Sequence, residues 1–115
     1  MNYELIASPE LRALLEASAR DDESYKLLMT FVQTGWPDKA EKVPAELKPY
    51  ANYTDELAIS NGFVFKGDRI IIPKAARNDV MTRLHSSHTG IGGLIRRARN
   101  TVYYPGITAD IKRVA

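Results

Sequence analysis

Residues 57–73 read Leu57-Ala58-Ile59-Ser60-Asn61-Gly62-Phe63-Val64-Phe65-Lys66-Gly67-Asp68-Arg69-Ile70-Ile71-Ile72-Pro73. Three short runs, Leu57 to Ser60, Phe63 to Phe65 and Arg69 to Ile72, are joined through Asn61-Gly62 and Lys66-Gly67-Asp68. Those joints supply the positive-φ residues that tight hairpins require. The stretch therefore predicts a three-stranded antiparallel meander, closed by Pro73. A sheet this small is marginal by itself, so a helix has to cover its apolar side.

Helical patterns lie on both sides. Upstream, Ser8-Pro9-Glu10 is a helix start, a hydroxyl cap followed by proline at the first helical position. Leu11, Leu14, Leu15 and Ser18 share one face, which carries that helix to about Ala19. Asp21 or Asp22 caps a second helix with a Tyr25, Leu28, Met29, Val32 stripe and Phe31 beside it, ended by Gly35 ahead of Trp36-Pro37. A polar linker runs from Asp38 to Val43. Pro44 then opens a short helix from Ala45 to about Tyr53, bent or broken at Pro49.

Downstream, residues 75–87 return to helix with Ala76, Val80, Met81 and Leu84 on one face. A further helix covers about Gly92 to Asn100, with Ile91, Leu94, Ile95, Ala98 and Val102 inward. Tyr103-Tyr104-Pro105-Gly106 reads as a turn, and Thr108 as the cap of a last helix through Asp110, Ile111 and Lys112. The expected fold class is α+β, mainly helical. Helices and a linker occupy 1–43, a short helix and the three-stranded sheet 44–73, and a helical unit 74–115. The exposed leucine stripe of the first helix offers one route to a dimer.

Composition narrows the chemistry. The 115 residues contain no cysteine, which removes disulfides, thiol nucleophiles and cysteine metal ligands from this stretch. No apolar run approaches the roughly 20 residues a bilayer requires, and Met1-Asn2-Tyr3-Glu4-Leu5 lacks the basic head of a signal peptide. The net charge of +2 hides an asymmetry. Residues 1–65 hold six basic and eleven acidic side chains, net −5, and residues 66–115 hold ten basic and three acidic, net +7. A basic half suits a polyanion such as nucleic acid, and it equally suits a solvated face.

The two histidines of the chain fall together in Leu84-His85-Ser86-Ser87-His88-Thr89-Gly90. On a helix, residues three apart share a face at about 5–6 Å between Cβ atoms, which lets two imidazoles meet one ion at a Zn–N distance of about 2.0–2.1 Å. Both border the Met81/Leu84 stripe and are expected to point inward. They also fit capping or packing residues at a helix–loop junction, and two imidazoles do not complete a four-ligand site.

The wider pattern resembles a known family. Leu84-His85-x-x-His88-x-Gly90-Ile91, Arg97-Ala98-Arg99, Val102-Tyr103-Tyr104-Pro105-Gly106-Ile107 and Asp110-Ile111 together resemble the zinc-binding domain of gypsy-type retrotransposon integrases. Gly35-Trp36-Pro37, Leu47-x-Pro49-Tyr50, Asp55-Glu56-Leu57, Asn61-Gly62 and Asp68-Arg69-x-Ile71-x-Pro73 are similar to the stretch between the reverse transcriptase/RNase H part and the integrase. The likeness runs from about Asp21 onward and rests on the order and spacing of motifs that are individually weak. It implies that His85 and His88 are half of a His-His-Cys-Cys zinc site. In that family the cysteine pair falls just past Ala115, so zinc is expected in the full-length parent rather than in this stretch. Tyr104 stands where the family usually has tryptophan, which adds a hydroxyl in need of a partner.

The resemblance further implies a non-catalytic region that assists DNA-end binding and integrase multimerisation. Asp79 and Asp110 are lone acids without the paired geometry of two-metal chemistry, and no catalysis is expected. Arg96, Arg99 and Asn100 share an outer helix face flanked by Arg97, and Lys112 and Arg113 extend it, with Lys74, Arg77 and Arg83 on the preceding helix. These are candidate phosphate contacts, or the wet side of amphipathic helices. Tyr103 and Tyr104 are either stacking platforms for unpaired bases or turn anchors. The expected partners are DNA and other integrase subunits or a second copy, with no membrane and no small-molecule substrate. The parent would be intracellular, in the nucleus or a virus-like particle. The competing expectation is a host-retained interaction or scaffold domain without zinc or DNA function.

Overall fold

The structure, a computed structural model of the 115-residue chain, describes Tyr3, residues 5–86 and residues 100–114. Helix α1 spans Pro9–Arg20, and the Ser8 hydroxyl accepts from the Leu11 N–H at 3.4 Å. Helix α2 spans Glu23–Thr34. Of the two candidate caps, Asp22 is the one used. One of its oxygens accepts from the Tyr25 N–H at 3.0 Å and the other from the Lys74 N–H at 3.1 Å. A single carboxylate thus ties the start of α2 to the start of the C-terminal region. Gly35 ends α2 at φ +110°, where a side chain would be strained.

The segment Ala45–Glu56 is a 3-10 helix with its kink at Tyr53 (φ −139°, ψ 38°) rather than at Pro49. Tyr53 is held there by edge-on contacts with the rings of Tyr50 and Tyr103. Strands β1 (Leu57–Ser60), β2 (Phe63–Lys66) and β3 (Arg69–Ile71) form the expected meander. Asn61 and Gly62 take up the positive φ angles of the first hairpin. A short 3-10 turn, Lys74–Ala76, leads into helix α3 (Arg77–Ser86).

The sheet has a fourth strand that the sequence reading placed in a helix end and a turn. Strand β4, Val102–Tyr103, runs parallel to β3, with Ile70 opposite Val102 and Ile71 opposite Tyr103. The order is β1-β2-β3-β4. Helix α4 (Ile107–Val114) follows directly after Gly106, so Thr108 lies inside its first turn rather than capping it.

Both faces of this sheet are covered, not one. Phe63, Phe65, Ile70 and Val102 pack with Leu11 and Leu15 of α1, Val80, Met81 and Leu84 of α3, and Ile107 and Ile111 of α4. Val64, Ile71 and Leu57 point the other way, onto Tyr25 and Leu28 of α2 and Leu47 and Tyr50 of the 3-10 segment. Double coverage explains why Phe63-Val64-Phe65 and Ile70-Ile71-Ile72 are apolar at every position instead of alternating. The first cluster draws on residues from 1–43, 44–73 and 74–115 alike. The leucine stripe of α1 is part of it, with Leu15 fully buried, so that stripe is not an exposed dimer surface. Among the described residues, no helix is long and apolar enough to cross a membrane.

The hydroxyl of Tyr25 is built into the sheet. It accepts from the Val64 N–H at 3.0 Å and donates to the Ile71 carbonyl at 2.7 Å. Continuing the β2–β3 register past Phe65 and Ile70 sets Val64 opposite Ile71. The tyrosine therefore stands between two backbone groups that would otherwise bond each other, and it satisfies both.

Candidate metal and nucleic-acid site

Helix α3 carries His85 in its last turn. Its buried residues are Val80, Met81 and Leu84, and His85 sits one residue on from Leu84, about 100° further round the helix. That step takes its ring off the apolar stripe, and His85 is exposed. The inward orientation expected from the sequence is not found for this histidine. His88 lies outside the described residues, as do Arg96, Arg97 and Arg99.

Among the described residues, no group of three or more His, Cys, Asp or Glu side chains comes together. A structural zinc needs four protein ligands. The described residues alone therefore do not make up a complete zinc cage.

Helix α4 positions two of the described candidates for phosphate contact. Ile107 and Ile111 are buried on its inner side, while Lys112 and Arg113 are exposed. Arg113 donates to Asp110 Oδ1 at 2.8 Å, and its side chain is still 71% exposed. The other oxygen of Asp110 accepts from the Tyr104 hydroxyl at 2.6 Å. This is the partner that the extra hydroxyl of Tyr104 required. Burial and the adjacent Asp110 carboxylate push the Tyr104 phenol well above its ordinary range.

Arg77 behaves differently from the outward cation expected. Its guanidinium lies 4.7 Å from the centre of the Tyr104 ring, and its Nε–H donates to the Ile72 carbonyl at 3.2 Å. A cation over an aromatic face is attracted by the ring quadrupole. Lys66 and Arg69 are engaged in the same way. Lys66 Nζ lies 4.8 Å from the Tyr53 ring centre and 5.0 Å from that of Tyr103, and the Arg69 guanidinium lies 4.9 Å from Tyr103. The two tyrosine hydroxyls meet at 2.8 Å. Among the seven described cations of the basic half, three thus sit on rings, and the outward positive surface there rests on residues such as Lys74, Lys112 and Arg113. Reading from sequence missed this tyrosine–cation cluster, because Tyr53, Lys66 and Tyr103 are far apart along the chain. Tyr104 is buried and Tyr103 is held by its neighbours, so both are packing residues here rather than free stacking platforms.

Comparison with known proteins fits this part of the chain. Over 67 residues, 58% of its length, the chain is 33% identical to a Caenorhabditis elegans protein named "Uncharacterized protein K02A2.6", of which the match covers 5%. The chain is thus similar to a small fraction of a far longer relative. No solved structure matches. Residues 72–115, which contain α3, both histidines, β4 and α4, match the family model described as the integrase zinc binding domain. That family is described as a zinc-binding unit, and the likeness to it covers the C-terminal segment of this chain, residues 72–115.

Proposed function

We propose that this chain works as the non-catalytic N-terminal region of a retrotransposon integrase, holding DNA ends through phosphate contacts and assisting the assembly of integrase subunits. The observation that carries the reading is the match of residues 72–115 to the integrase zinc binding domain. The net +7 of residues 66–115 and the outward position of Lys112 and Arg113 on α4 support it. Arginine and lysine on phosphate oxygens give affinity without sequence choice. Arg96, Arg97 and Arg99, outside the described residues, are proposed as further phosphate contacts on their charge alone. The parent element would act in the nucleus or a virus-like particle.

Salt dependence tests the DNA assignment. Binding of a short duplex, followed by fluorescence anisotropy across a salt series, is expected to weaken by about 0.9 log units per log unit of salt for each phosphate contacted. Replacing Lys112 and Arg113 together by alanine should lower that slope by roughly one to two. A salt-independent affinity would overturn the assignment and favour a host-retained interaction or scaffold domain.

His85 and His88 are proposed as two of four zinc ligands, completed by a cysteine pair elsewhere in the parent polypeptide. One bound zinc per parent chain is expected, lost on His85→Ala or His88→Ala. A parent reading frame without a Cys-x-x-Cys shortly after residue 115 would end the zinc assignment.

A further inference from the structure

The acidic part of the chain contains a basic cleft that the reading above does not use. Residues 1–65 hold only six lysines and arginines. Three of them, Arg12, Arg20 and Lys26, line one cleft of about 290 Å³ between α1, α2 and the β1–β2 hairpin. Phe63 and Ala19, both buried, also line it, and Gly62 forms part of its rim. A side chain added at Gly62 would meet nothing within 4 Å, so the approach over the hairpin is open.

The arrangement follows from helical spacing. Arg12, Glu16 and Arg20 recur every four residues along α1, beside the stripe of the buried Leu11, Leu15 and Ala19. Lys26 and Met29 lie three residues apart on α2. The cations are loosely held. Arg12 pairs with Glu16 at 2.9 Å and Lys26 with Glu23 at 3.1 Å, and all four side chains are at least 46% exposed. Exposed pairs of this kind are weak and readily exchanged. Arg20 makes no ion pair among the described residues. Glu16 is the one acid lining the cleft, against three cations.

We propose that this cleft binds a phosphate group of a nucleic-acid backbone, with Arg20 and Lys26 as its principal contacts and Arg12 released from Glu16 to join them. A guanidinium fork matches two phosphate oxygens, and the loose pairs allow the anion to replace carboxylate partners. The cleft lies on α1 and α2, elements that carry none of the residues assigned to DNA contact above. It stands whether or not α4 touches DNA.

The experiment uses the whole 115-residue chain. Amide NMR shifts of Arg20, Lys26 and Gly62 are followed on adding a short DNA duplex and, separately, inorganic phosphate. Duplex affinity is measured against salt for the Arg20→Gln/Lys26→Gln and the Lys112→Ala/Arg113→Ala variants, with circular dichroism confirming that each is folded. The expected result is that duplex shifts the cleft amides in wild type and in the α4 variant, and that the cleft variant loses roughly one to two from the salt slope. Unmoved cleft amides, or a cleft variant with the wild-type slope, would overturn the proposal. So would a response to inorganic phosphate that duplex does not reproduce. A cleft variant with the wild-type slope beside an α4 variant with a reduced one would sink this proposal and leave the α4 reading standing.

Discussion

The two faces of the sheet are closed by different chemistry. Toward α1, α3 and α4 the contact is made mainly by Phe63, Phe65, Ile70, Val102 and the aliphatic side chains above them. Toward α2 and the 3-10 segment it includes Tyr25, Tyr50, Tyr53 and Tyr103, whose hydroxyls and rings bind backbone, one another and cations. The first face supplies cohesion through apolar burial, which has no direction. The second supplies geometry, because each hydroxyl bond fixes one position. It follows that titration falls mainly on the tyrosine face, the apolar face carrying Tyr104 as its one buried phenol.

Alkali should give the largest effect. Burial pushes the Tyr50 phenol from 10.0 up to about 12, against the opposing pull of the Arg77 charge. Burial also raises Tyr25 and Tyr53. A raised folded-state value means the native form holds its proton more tightly than the unfolded chain. The stability so gained is complete below pH 10.0 and is lost as pH climbs toward about 12 and beyond. Chemical denaturation at pH 8, 10 and 12 should show that fall, and Tyr50→Phe should flatten it. An unchanged midpoint across the range would contradict the division between the faces.

On the apolar face, Phe65→Ala should cost about 3–5 kcal/mol, with the cavity adding to the lost transfer energy. Urea unfolding at neutral pH measures it. On the other face, Tyr25→Phe changes no volume of consequence and strips the bridge from Val64 to Ile71. The expected cost is about 1–3 kcal/mol, with faster hydrogen exchange at the Val64 amide. If that amide stays protected, the two strands have closed on each other directly and the hydroxyl is dispensable. Lys66→Met should have the smallest effect, about 0.5–1 kcal/mol, because it removes a cation from two rings while keeping the apolar stem.

Much of the architecture was written in local signals. Ser8, Asp22 and Gly35 mark helix limits through bonds or backbone angles that depend on nearby residues, and Asn61-Gly62 fixes a hairpin register by itself. Strand β4 was illegible for the opposite reason. Two residues have no periodicity, and Tyr103-Tyr104-Pro105-Gly106 carries turn chemistry that masks a strand defined only by its pairing with β3. The second covered face does leave a trace, in the unbroken apolar runs of β2 and β3, where a sheet covered on one side alone would alternate. For the candidate site, spacing identified the histidine pair, but it did not give the rotation of α3 that turns His85 outward. That rotation is set by tertiary packing of Val80, Met81 and Leu84. Arg77 likewise looked like a surface cation until the ring of Tyr104 was placed beneath it.

The parallel pairing of β3 with β4 has a consequence for the order in which the molecule assembles. The hairpins joining β1, β2 and β3 span only a few residues, whereas Ile70 must wait for Val102. Contacts between distant positions form slowly, since a long loop has to close before they are rewarded. During synthesis, the outer rim of β3, at Ile70 and Ile71, stays without a neighbour until the later residues leave the ribosome. An unpaired apolar rim is a template for sticking to other chains, so early release of a nascent chain ending short of Val102 is expected to give aggregates rather than a smaller soluble domain.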